Sequence, residues 1–210
     1  MIRRRRDRSG DYGSAGVTTN APWRAGAYCV IDVETTGLDA KTDAILSYGC
    51  VPVDDGRAVV GDSRYSLVRP ARTADTASVT VHGLRTVDLQ YAPDSNAAAT
   101  ALMQALTGRV LVAHAAWIEV GFLDRLFRTV GRRLRPEVID TAAMAKAAGL
   151  PGVEGRAPSL ELLSMKLSLP VHTPHHALGD ALTTAQLFLV LAHRLSATAP
   201  VTVKDLIRLD

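Results

Sequence analysis

Asp32 and Glu34 stand two residues apart at the end of an apolar, β-prone stretch, AYCVIDV at 27–33, and are followed at once by Thr35-Thr36-Gly37. On a strand, side chains two apart share a face, so Tyr28, Val30, Asp32 and Glu34 point one way. Two carboxylates side by side repel, and each raises the other's pKa unless positive charge sits between them. A divalent cation meets that need, and hard oxygen ligands of this kind suit Mg²⁺ or Mn²⁺. Taken alone, the same D-x-E pattern also describes a turn with two solvated acids.

Two further stretches carry acids in unusual places. In LVAHAAWIEVGFL (111–123) a short apolar strand runs into a helix, on which Leu123, Leu126, Phe127 and Val130 form the apolar stripe. Glu119 lies about 40° from the centre of that stripe, at 100° per residue. An acid on the inward face of a first turn is costly unless paired or coordinated. In TPHHALGDAL (173–182), Pro174 resists helix formation before it, so His175 falls in the loop entering a helix and Asp180 inside that helix. A histidine next to a metal-held carboxylate suits general-base work near neutral pH. Helix capping by His175 or His176, and an ordinary first-turn role for Asp180, are the plainer readings.

The elements that must hold these residues can be read from periodicity. Strands are expected at 27–33, 45–53 and 58–68, with Asp54-Asp55-Gly56 as a hairpin turn between the last two. Helices are expected at 95–106, 116–130, 141–148, 159–167 and 177–195, with short buried strands at 110–113 and 138–139. Three antiparallel strands followed by alternating strands and helices imply an α/β fold with one mixed sheet flanked by helices.

The chain has 210 residues, 47% hydrophobic and 21% charged, enough to bury one sizeable core. No apolar run approaches the roughly 18–20 residues of a membrane span, and the charged start lacks a following apolar segment. A cytoplasmic protein is therefore expected. Cys29 and Cys50 cannot staple a fold of this size and read as buried thiols. Residues 1–24 hold six arginines against Asp7 and Asp11, whereas the rest of the chain sums to −1. That segment, with Arg3 to Arg6 in a row and a Gly/Ser-rich stretch behind them, reads as a disordered tail able to touch phosphates. Ordered structure is expected over 25–196, and 197–210 reads as a C-terminal tail. Arg125, Arg128 and Arg132 share one helix face, which reads as a solvated side in preference to a phosphate-facing patch.

Together, VIDVETTGL (30–38), LVAHAAWIEVGFL (111–123) and HHALGDALTTAQLF (175–188) resemble the DEDDh, or DnaQ-like, exonuclease family, which includes the epsilon proofreading subunit of DNA polymerase III, ribonuclease T and oligoribonuclease. Weaker echoes are SVTVHGL (78–84), EVIDTAAMAK (137–146) and SLELLSMKLSLP (159–170), and the whole covers 28–195 in family order. The resemblance implies a ribonuclease-H-like sheet of three antiparallel and two parallel strands, and metal-dependent 3′-to-5′ hydrolysis of single-stranded DNA or RNA with two divalent cations. It implies that Asp32, Glu34, Glu119 and Asp180 hold the metals and that His175 activates the attacking water. It further implies that Thr35, Thr36, Gly37, Leu38, His114 and Ala115 meet the terminal nucleotide. His82 falls in a family segment without an assigned role here. The family's second motif usually reads A-H-N-x-x-F-D, whereas this chain has Ala115, Ile118 and Glu119. Glu keeps the charge with about 1.3–1.5 Å more reach. A catalytically impaired nucleic-acid-binding or scaffold protein that keeps the fold is the alternative. Leu167-Ser168-Leu169-Pro170 is similar to part of a sliding-clamp-binding peptide, so a polymerase or clamp partner is conceivable, but its leucines read first as core.

Overall fold

The structure is a computed structural model that describes residues 11–13, 17–70, 83–150, 152, 158–197 and 199–209. The strands are β1 (Asp11–Gly13), β2 (Tyr28–Thr35), β3 (Ile45–Asp54), β4 (Arg57–Ala58), β5 (Arg64–Leu67), β6 (Val110–Ala113), β7 (Arg133–Arg135) and β8 (Val138–Asp140). The helices are α1 (Thr86–Leu89), α2 (Ser95–Leu106), α3 (Trp117–Arg128), α4 (Thr141–Ala147), α5 (Leu160–Lys166), α6 (Ala177–Leu195) and α7 (Val203–Ile207).

One mixed sheet runs in the order β4-β3-β2-β6-β8, with β5 also paired to β3. β3 is antiparallel to β2, β4 and β5, while β6 is parallel to β2 and β8 to β6. The alternation along β2 decides what each face does. Tyr28 and Val30 enter a core with Val51, Val112 and Phe188 beneath α4 to α7. Cys29 and Ile31 enter a second core with Leu102, Phe122 and Phe127 beneath α2 and α3. Asp32 and Glu34 continue the first face, so the sheet delivers both acids beneath α6. Both cysteines are free and buried.

Three boundaries differ from the sequence reading. The third strand is not continuous: a 3-10 turn at Val60–Asp62 splits it into β4 and β5, with the Asp62 amide donating to the Val59 carbonyl at 3.0 Å. A Cβ at Gly61 would stand in open space. Within 1–24, Asp11–Gly13 pairs in parallel with β7, and Trp23 is buried beside Phe188, so order reaches into the stretch read as a tail. The run Arg3 to Arg6 and His82 lie outside the described residues. Within 197–210, α7 carries a Thr202 cap and buries Val203 and Leu206 in the first core, because two apolar residues three apart make one helical face. Leu167 and Leu169 pack against that same core. No helix among the described residues is long and apolar enough to cross a membrane.

Candidate active site

The C-terminal end of β2 and the first turn of α6 meet at one point, and a missing side chain makes this possible. Gly49 pairs with Asp32 across β2 and β3. A Cβ there would collide with the Ala177 carbonyl oxygen and the Leu178 Cα. Gly179 is equally confined, since a Cβ would lie 2.5 Å from the Thr173 carbonyl and 2.6 Å from that of His172. Main chain therefore packs on main chain, and Asp180 in the first turn reaches the β2 acids. His176 caps α6, its Nδ1 accepting from the Gly179 amide at 3.4 Å, and its ring stacks on Tyr65 with centroids 4.4 Å apart.

One carboxylate oxygen from each of Asp32, Glu34 and Asp180 lies within 4.8 Å of the other two. Glu119 is not a member of that triad, but its charge falls on Asp32. The electrostatics show the strain of the convergence. Burial, and then the charges of Glu119, Asp180 and Glu34, push the Asp32 carboxyl well above its ordinary range. Burial and Asp180 lift Glu34 to about 7, burial lifts Asp180 to about 6, and burial lifts Glu119 to about 8. Asp180 Oδ1 and Glu119 Oε2 are buried without a hydrogen-bond partner. Buried acceptors are normally satisfied, and oxygens such as these could ligate a hard cation.

These acids open on a cleft of about 660 Å³, lined also by His175 and by Thr35, Thr36, Gly37, Leu38, His114 and Ala115. The sequence-derived residues are thus gathered in one place, though not all present free polar groups. The Thr35 hydroxyl donates to the Gly37 carbonyl at 2.6 Å, and that of Thr36 to Asp43 Oδ1 at 3.0 Å. His114 is occupied on both nitrogens, by the Thr141 hydroxyl at 2.9 Å and the Pro158 carbonyl at 2.8 Å. Burial lowers its pKa, and the Thr141 hydroxyl donates to the Ala113 carbonyl at 3.2 Å. His175 is exposed in the loop before α6 and has φ +59°, and its amide donates to Asp180 Oδ2 at 2.9 Å.

Other contributors escape a reading of the sequence. Asp140 caps α4 by accepting from the Ala142 amide at 2.8 Å, and also accepts from the amides of Ala115 and Ala116 at 3.0 Å each. It thereby pins the turn that precedes α3 and places Glu119. Glu161 lines the cleft, and its charge raises Asp180. The only local signal near Glu161 is the Ser159 cap of α5. The arginine face of α3 is held internally, with Arg125 donating to the Ala40 and Asp43 carbonyls at 2.9 Å each and Arg128 paired with Asp124.

Comparison with known proteins bears on family and fold. The "DNA polymerase III subunit epsilon-like protein" of Rhodobacter capsulatus is 32% identical over 188 residues, covering 88% of this chain, while the chain spans only 26% of that relative. The "DNA polymerase III subunit epsilon" of Treponema pallidum is 31% identical over 170 residues, 80% of this chain and 77% of the relative. Among solved structures, Exonuclease X in complex with 5′ overhanging duplex DNA superposes with a TM-score of 0.68 at 23% identity, covering 87% of this chain and 98% of that one. This likeness places the sheet and its helices in the ribonuclease-H-like fold. Residues 29–188 match the exonuclease family typified by ribonuclease T, and the chain belongs to that family.

Proposed function

We propose that this chain is a metal-dependent exonuclease of the DEDDh type that removes nucleotides from the 3′ end of single-stranded DNA or RNA. The observation that carries this reading is the convergence of the Asp32, Glu34 and Asp180 oxygens within 4.8 Å, beside the unpartnered, buried Oε2 of Glu119. That donor set fits hard divalent cations such as Mg²⁺ or Mn²⁺. Asp32, Glu34, Glu119 and Asp180 would hold two of them. Bound there, such ions supply a water of lowered pKa and neutralise the charge that gathers on the phosphate.

The protein's own residues do the remaining work. His175, at the mouth of the cleft, takes the proton of the attacking water on a ring nitrogen, while its amide is fixed by Asp180. Leu38, 70% exposed, presents apolar surface to the terminal base. The Gly37 backbone, with Thr35 and Thr36 tied into their loop, shapes the wall beside it. His114 and Ala115 line the same cleft.

The test is digestion of 5′-labelled single-stranded DNA and RNA with Mg²⁺, with Mn²⁺ and with chelator. A ladder shortening from the 3′ end, only with metal, is expected. Binding of the strands without any shortening in either metal would instead identify a catalytically impaired nucleic-acid-binding protein, with Glu119 and Ala115 as the altered positions.

A further inference from the structure

Trp117 opens α3 with 67% of its surface exposed, although it stands between the buried Ala116 and the cleft-lining Ile118. Its direction follows from the helix. Trp117, Gly121 and Arg125 are spaced by four and form one row. Gly121 in that row faces the loop after β2, since a Cβ there would lie 3.2 Å from the Ala40 Cβ. Arg125 in the same row donates to the Ala40 and Asp43 carbonyls. Trp117 is one turn further toward the cleft, and helical side chains lean toward the N-terminus. Its indole therefore projects past the end of α3, on the side of the loop after β2; Trp117 does not itself line the cleft, but its neighbour Ile118 does, as does Leu38 of that loop. Among the described residues no ring or guanidinium stacks on it, whereas Trp23 is buried, in a T-shaped contact with Phe188 and with the Arg24 guanidinium over its ring.

We propose that Trp117 is a base-stacking residue, whose indole takes the face of an unpaired nucleobase of the strand held in the cleft. The inference rests on the exonuclease reading and adds to it the residue that grips the strand beyond the reacting phosphate. A flat, exposed aromatic flanked in sequence by residues that line a cleft is a group that can accept any base without reading its edge. The resulting enzyme would favour unpaired, stackable strands and tolerate their sequence.

Kinetics with a single-stranded oligothymidylate test this directly. Trp117→Ala should raise KM about 5- to 150-fold, the range of an aromatic–base stack of about 1–3 kcal/mol, with the loss in KM and not in kcat. Trp117→Phe should recover most of it. On an oligonucleotide whose internal positions are abasic, parent and Trp117→Ala should become equal. The chain has two tryptophans, so oligothymidylate bound in Ca²⁺ should quench the emission of the parent and leave that of Trp117→Phe, which retains only the buried Trp23, unchanged. A parent that hydrolyses the strand while Trp117→Ala keeps its KM, or keeps the difference on abasic strands, overturns this inference alone. A parent that neither cleaves nor binds any strand overturns the exonuclease reading and this inference with it.

Discussion

The His175 amide donates to Asp180 Oδ2 at 2.9 Å, while the other oxygen of that carboxylate, Oδ1, is buried with no partner. One carboxylate thus does two things: through Oδ2 it ties down the loop that carries the imidazole, and it leaves Oδ1 without a partner, in a side chain that converges with the β2 acids. Replacing Asp180 separates these roles. Asp180→Asn can still accept from the amide and should keep the loop and the fold, yet lose more than about 100-fold in nucleolytic rate. Asp180→Ala should lose both activity and loop order. Circular dichroism and turnover on the same preparations check this, and full turnover by Asp180→Asn would remove Asp180 from the site.

The raised acids make stability depend on pH in a defined direction. In the unfolded chain they ionise in the ordinary carboxylate range, whereas in the fold Asp180 titrates at about 6, Glu34 at about 7 and Glu119 at about 8. The folded state therefore holds more protons between about pH 4 and pH 8, and stability falls as pH rises through that window. Metal-free protein should melt several degrees lower at pH 8 than at pH 5.5, and Mn²⁺ should recover the difference at pH 8 with little effect at pH 5.5. Calorimetry with and without chelator measures both arms.

Glu119 offers a sharper test of how the longer acid is used. Glu119→Gln keeps the shape and removes the charge that presses on Asp32. It should raise the melting temperature of metal-free protein and abolish nuclease activity. Glu119→Asp should retain or increase activity, and Glu119→Ala should lose it. Parent-like hydrolysis by Glu119→Ala would make this acid a structural residue.

Ala115 has φ +55°, a conformation that costs a residue with a Cβ about 1–2 kcal/mol. Ala115→Gly should stabilise the chain by about 0.5–1 kcal/mol, and Ala115→Asn by a few tenths, since Asn accepts this region readily. Denaturant melts suffice to read it. A destabilised Ala115→Gly would mean that the turn is held by contacts other than its φ.

Asp140 accepts three backbone N–H groups from two segments. Asp140→Ala removes a helix cap and orphans the amides of Ala115 and Ala116, for a loss of about 2–4 kcal/mol. Because those amides start α3, activity should fall with stability, and Asp140→Asn should recover part of each. Urea unfolding paired with turnover on one preparation would show whether the two fall together.

Much of this site is legible along the chain because it lies on regular elements. The two-residue period of β2 assigns Asp32 and Glu34 to one face, and Pro174 separates His175 from the helix that carries Asp180. Glu119 betrays itself by falling near an apolar stripe. Asp140, Glu161 and Tyr65 leave no such trace. They act through tertiary contacts to amides, to a neighbouring charge and to a ring, and no local period encodes those. The split of the third strand is hidden for a related reason: its residues are β-prone, and nothing local marks the 3-10 turn at Val60–Asp62.

The bare backbone opposite Asp32 has a consequence for how this enzyme family member can vary. With peptide resting on peptide at Gly49, the gap between the acids of β2 and Asp180 of α6 is set by main-chain dimensions. The cores above and below can exchange side chains of different bulk, at a cost in melting temperature, without respacing the carboxylates. A methyl group at position 49 is the smallest change that would wedge the two halves of the pocket apart.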